Sequence, residues 1–231
     1  MTTYTGVVVP FGIAFDGVNM WTANSGNNSV TKITPTGTMT TYTGTGAVPF
    51  GIALDGVNMW TANKNGNSVT KISPTGTMTT YVGTGAIPYG IAFDGVNMWT
   101  ANSGNNSVTK ITPTGTMTTY IGTGVRPVEI AFDGVNMWTA NYDNNSVTKI
   151  SLAKITLNWQ IPSYDGGSAI TNYEIYRGAS SGGEIFLIEV GDILSYVDMG
   201  ISDGVTYYYK VAAKNLFGIG AQSNEVSVIA Q

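Results

Sequence analysis

Two residue types are missing altogether from the 231-residue chain, histidine and cysteine. Without histidine there is no commonest general base, no commonest transition-metal ligand and no imidazole-centred triad. Without cysteine there is no disulfide scaffold, no thiolate metal site and no thiol nucleophile, and the redox compartment stays open. Charge is scarce too. Only 10% of residues are charged, the net charge is −4, and the 10 basic residues are scattered singly, which excludes the electrostatic footprint of a nucleic-acid binder. No apolar run reaches the roughly 18 residues of a membrane span. The opening "MTTYTGVVVPFG" has neither the basic start nor the apolar core of a secretory signal peptide. The chain therefore reads as soluble, with no membrane insertion, or as the soluble part of a longer one. Heavy Thr, Asn, Gly and Tyr usage with few charges fits a secreted or cell-surface protein.

What is present is repetition. "DGVNMWTAN" stands at 16–24 and recurs letter for letter at 55–63, 94–102 and 133–141. Trp21, Trp60, Trp99 and Trp138 are 39 residues apart, and so are Pro10, Pro49, Pro88 and Pro127. A period near 40 residues means propeller blades or helical arrays. Helical periodicity is absent, and short β-branched or aromatic runs alternate with turn residues, so each unit is four strands. In the first repeat they are expected at Gly12–Phe15, Asn19–Ala23, Ser29–Thr34 and Thr38–Thr43. Between them lie Asp16-Gly17, Asn24-Ser25-Gly26-Asn27-Asn28 and Pro35-Thr36-Gly37, all turn chemistry. Asp16 and its copies Asp55, Asp94 and Asp133 are expected to hold a hairpin turn through their own backbone. The four tryptophans are expected to pack between blades, and Asn24 and its copies to stabilise the strand end.

The skeleton "GIA-x-D…W-x-A-N…N-x-V" resembles NHL-type and streptogramin (virginiamycin B) lyase-like β-propeller repeats over residues 1–151. The resemblance implies an all-β propeller, in a family whose members usually have six or seven blades. It also implies a lyase chemistry built on a catalytic histidine and bound magnesium, for which this sequence has no histidine to offer. "MTTYTG" at 1–6 matches "MTTYTG" at 39–44, an outermost strand, while the fourth repeat stops after its third strand. The simplest reading is a small four-bladed propeller closed by its N-terminal strand, because closure removes open sheet edges. A two-chain, eight-bladed ring and a fragment of a longer array are the alternatives. The chain is thus expected to be a monomer if the ring closes, and otherwise a dimer or part of a larger chain.

From Leu152 the period vanishes. "ITLNWQIPSYDGGSAITNYEIYRG" and "VTYYYKVAAKNLFGIGAQSNEVSV" alternate like sandwich strands, and residues 152–231 resemble a fibronectin type III β-sandwich. The resemblance makes Trp159, Tyr173 and Tyr176 core residues and Tyr207 the tyrosine corner. The usual first strand is missing, so either Val147–Leu152 serves both domains or the sandwich lacks an edge strand. No flexible linker separates the two domains, which implies a stiff junction.

Near-identical repeats expose the positions where one differs. The fourth reads "VRPVEIA" and "ANYDNNS", bringing Arg126, Glu129, Tyr142 and Asp143 to loops or strand starts on one propeller face. Two readings stand: a polar ligand pocket near the axis mouth, or drift in the terminal repeat with Arg126 paired to Glu129. Glu129 with Asp143 could in principle form a carboxylate pair or hold a hard cation, and nothing in their spacing singles them out. No catalytic residue, metal site or cofactor is therefore assigned. "Asn-Asn-Ser" at Asn27, Asn105 and Asn144 is a glycan acceptor only in a secreted context. The expected function is a non-enzymatic binding or adhesion module whose loop face meets protein or carbohydrate. A degenerate lyase-like enzyme and a structural spacer in a cell-surface or phage fibre are the alternatives.

Overall fold

The computed structural model describes residues 1–202 and 204–230, and it divides into two compact units, Met1–Ser151 and Leu152–Gln231. Among the described residues every regular element is a β-strand.

In the first unit, β1 (Pro10–Phe15), β2 (Met20–Asn24), β3 (Ser29–Ile33) and β4 (Met39–Thr43) form one antiparallel sheet in chain order. The second repeat gives β5 (Pro49–Leu54), β6 (Met59–Asn63), β7 (Ser68–Ile72) and β8 (Met78–Val82). The third gives β9 (Pro88–Phe93), β10 (Met98–Asn102), β11 (Ser107–Ile111) and β12 (Met117–Ile121). The fourth sheet has three strands among the described residues: β13 (Pro127–Phe132), β14 (Asn136–Asn141) and β15 (Ser146–Ser151). These are propeller blades, with β1 against β5, β5 against β9 and β9 against β13 along the inner side. Glycine sets that spacing: a Cβ on Gly12 would strike the Phe50 carbonyl, and one on Gly51 the Tyr89 carbonyl.

Each joint between repeats is apolar. Trp21, Ala23 and Val30 of the first sheet pack on Ile52, Met59 and Ile72 of the second, with Tyr42 closing the edge. Trp60, Ala62 and Val69 do the same with Ile91, Met98 and Ile111. Asn28 Oδ1 accepts from Val48 N at 2.8 Å, Asn67 Oδ1 from Ile87 N at 2.9 Å and Asn106 Oδ1 from Arg126 N at 2.8 Å, so a polar stitch crosses every joint. The expected inter-blade role holds for Trp21, Trp60 and Trp99, which are at most 2% exposed, whereas Trp138 is 36% exposed because no following repeat covers it.

The N-terminal segment lies against the first sheet. Tyr4 lies against Gly37, as Tyr42 lies against Gly76 and Tyr81 against Gly115. Met1–Gly6 thus occupies, relative to the first sheet, the place of an outer strand from a preceding blade. The strand that pairs with β15 is β14, and residues 1–7 carry no strand pairing.

In the second unit, β16 (Ile155–Asn158) pairs with β19 (Ser195–Asp198). β17 (Asn172–Gly178) lies between β18 (Ile185–Gly191) and β20 (Thr206–Asn215), and β20 also pairs with β21 (Gly218–Gln222) and β22 (Val226–Ile229). The sandwich core is Ile155, Leu157, Ile175, Ile201, Tyr209 and Ala230, with Trp159 packed against it. The smaller sheet has two strands among the described residues. Tyr207 OH accepts from Ser202 N at 3.0 Å, and Tyr209 OH donates to the buried Asp198, which also holds Arg177 at 2.8 Å.

Candidate functional site

The repeat-borne carboxylates are fully employed by the fold. Asp16 Oδ1 accepts from Val18 N at 2.8 Å and Asn19 N at 2.6 Å, while Oδ2 accepts from Trp21 Nε1 at 2.7 Å. Asp55, Asp94 and Asp133 repeat the pattern on Trp60, Trp99 and Trp138. Burial alone would raise the Asp16 carboxyl, but the bonds from Asn19, Trp21 and Val18 outweigh it and hold it at about 2. Asp55 is lowered by the same balance, and Asp133 is lowered chiefly by the Trp138 indole N–H. Asn24 is equally committed: its Nδ2 donates to Ser29 Oγ and Thr31 Oγ1, and Asn63, Asn102 and Asn141 follow suit.

The unrepeated residues gather at one end of the unit. Tyr142 N donates to Arg126 O at 2.9 Å, the bond that in earlier repeats joins Ser25 N to Val9 O and Lys64 N to Val48 O. That bond fixes the loop after β14 against the approach to β13. The Arg126 guanidinium then lies over the Tyr142 ring at 4.9 Å and reaches Asp143 Oδ1 at 3.3 Å. Arg126 therefore pairs with Asp143, not with Glu129, because a register shift between Pro127 and Glu129 carries Glu129 into the β13 ladder opposite Ala140. Glu129 is exposed as a whole but points its carboxyl end toward Gly90, and partial loss of water there raises its pKa.

A further group at this end was not marked by sequence reasoning. Phe11 and Phe50 stack with ring centroids 3.7 Å apart, and Tyr89 meets Phe50 edge-on at 4.7 Å. Lys64 Nζ stands 4.9 Å from both the Phe50 and Tyr89 ring centres. The signal was the aromatic after each early proline, "PFG", "PFG" and "PYG", which the strand pattern absorbed. Val9, Val48, Ile87 and Arg126 just before these prolines all have φ between 50° and 58°, a region β-branched side chains avoid. The loop end is therefore held in one tight backbone conformation that presents aromatic rings, a lysine and an arginine–carboxylate pair.

Magnesium, which the lyase resemblance implies, finds no suitable donor set. Hard cations need several free oxygens, yet the four repeat aspartates are bound to indole and backbone donors, Asp143 is paired, and Glu129 stands alone. Among the described residues no three carboxylates converge.

Sheets of this kind, four times repeated and packed by their inner strands, define a β-propeller repeat protein. The chain belongs to the Virginiamycin B lyase family, whose model matches residues 2–172. The match therefore continues past the last repeat strand into the second unit. A streptogramin B lyase structure superposes with TM-score 0.53 at 27% identity, over 62% of this chain and 54% of that one. A catalytically inactive histidine-to-alanine virginiamycin B lyase from Staphylococcus aureus, with quinupristin, superposes with TM-score 0.56 at 18% identity, over 95% of this chain and 69% of that one. An amylopullulanase from Thermoanaerobacter thermohydrosulfuricus is 44% identical over 63 residues, 26% of this chain, and the chain spans 4% of that protein.

Proposed function

We propose that the chain is a non-enzymatic binding module of a secreted or surface protein, and that the loop end of its first unit takes a carbohydrate. The observation that carries this is the row of Phe11, Phe50 and Tyr89 with Lys64 seated over two of the rings. Aromatic faces suit sugar C–H surfaces, and Lys64, Arg126, Tyr142 and Asp143 supply hydroxyl partners around them. The second unit serves as a fibronectin type III-like spacer, a reading supported by the Tyr207–Ser202 bond and the place of Trp159 in the core.

The lyase reading draws its support from family membership. Against it stands one comparison of chemistry: a relative is catalytically inactive with a single histidine changed to alanine, and this chain contains no histidine. Binding is tested by affinity electrophoresis of the intact chain through gels holding individual soluble polysaccharides. Retardation by at least one polysaccharide, lost in Phe50→Ala and Lys64→Ala, is expected. Unretarded migration through all of them, with retention on protein ligands instead, turns the reading toward a protein partner.

A further inference from the structure

The two ends of the array carry the two halves of one joint. In the joint between the first and second sheets, Trp21, Ala23 and Val30 meet Ile52, Met59 and Ile72. The fourth sheet presents the first set again as Trp138, Ala140 and Val147, and the first sheet presents the second set again as Ile13, Met20 and Ile33. Both are uncovered: Val147 is 68% exposed where Val30 is 0%, and Ile13 is 62% exposed where Ile52 is 8%. The polar stitch is split in the same way, with Asn145 at one end in the position of Asn28 and Val9 at the other in the position of Val48.

The outer strand is split as well. β3 pairs with β4 through Ser29↔Thr43, Val30↔Tyr42 and Ile33↔Met39. β15 carries the β3 sequence "SVTKI", and Met1–Thr5 carries the β4 sequence "MTTYT". Met1–Thr5 is moreover already seated against the first sheet as an outer strand of a preceding blade, through Tyr4 on Gly37.

We propose that a second copy of this chain docks head to tail, its Met1–Thr5 pairing with β15 and its first sheet covering Trp138, Ala140 and Val147. Val147 then faces the partner's Tyr4, and that ring stacks on Trp138 as Tyr42 stacks on Trp21 at 5.7 Å. A heterologous contact of this kind closes when two copies each give one head and one tail. It also removes the open β15 edge and both apolar faces together. The innermost strand fits less closely than the rest. Glu129 stands where Gly12 and Gly51 allow the next backbone to approach, so Glu129→Gly is expected to tighten the joint several-fold.

Sedimentation equilibrium of the intact chain across the micromolar range tests this. The expected mass is twice the 24.3 kDa of one chain. Ile13→Asp and Val147→Asp change side chains exposed in the single chain, so each variant should keep the wild-type circular dichroism and sediment as a monomer. Mixed in equal amounts, they retain one intact head and one intact tail and should form a one-joint heterodimer. A monomeric wild type, from self-closure or from a need for further blades, overturns the proposal. So does loss of association in only one of the two variants, which marks a like-to-like contact, or failure of the mixture to associate.

Discussion

Replacing Asp94 by alanine isolates the contribution of the aspartate–indole bond. Asp94 is 3% exposed, and its carboxylate accepts from Val96 N at 2.8 Å, Asn97 N at 2.6 Å and Trp99 Nε1 at 2.6 Å. Removing it leaves the Trp99 indole N–H buried without a partner, because Trp99 is 2% exposed. An orphaned buried donor costs about 1–3 kcal/mol, and loss of the charge-assisted turn bonds brings the total to about 3 kcal/mol. For a chain of this length that lowers Tm by about 6–12 °C. Asp133→Ala is the internal control. The same bonds are lost there, but Trp138 is exposed and water can reach its indole, so the drop should be much smaller. Calorimetry of both variants decides. Asp94→Ala combined with Trp99→Phe should recover part of the loss, since no indole N–H is then stranded. Equal Tm shifts for Asp94→Ala and Asp133→Ala would refute the reasoning.

Other consequences follow from the same contacts. Asp16 is depressed from 3.8 to about 2, so the stability it confers is present above its unfolded value and lost as pH falls through the folded one. Urea midpoints should decline between about pH 4 and pH 2, and Asp16→Asn should flatten that decline. Gly51→Ala places a methyl against the Tyr89 carbonyl and should cost about 1–3 kcal/mol by denaturant titration. Gly56→Ala meets open space, but its φ of 96° strains any side chain, so a loss there reports backbone conformation alone.

The strands of the repeats were legible because glycine, asparagine, aspartate and proline punctuate them: Met20–Asn24 is shifted by one residue at both ends, Met39–Thr43 starts one residue late, and Pro10–Phe15 starts two residues early. The backbone bonds of Asp16 followed from its own side chain. Its bond to the Trp21 indole did not, because it needs the pleat of β2 to turn that edge back toward the hairpin. At the loop end, chain proximity suggested an Arg126–Glu129 pair, but the register shift in β13 gives Arg126 to Asp143 instead. The aromatic row was hidden for a similar reason: Phe11, Phe50 and Tyr89 are 39 residues apart, and only the close approach of β1, β5 and β9 brings their rings together.

We propose that this member of a lyase family acts by binding rather than by catalysis. Incubating the intact chain with quinupristin and magnesium, followed by liquid chromatography with tandem mass spectrometry, tests it most directly. Quinupristin is expected to elute unchanged at every protein concentration. A new species that grows in proportion to the protein would contradict it.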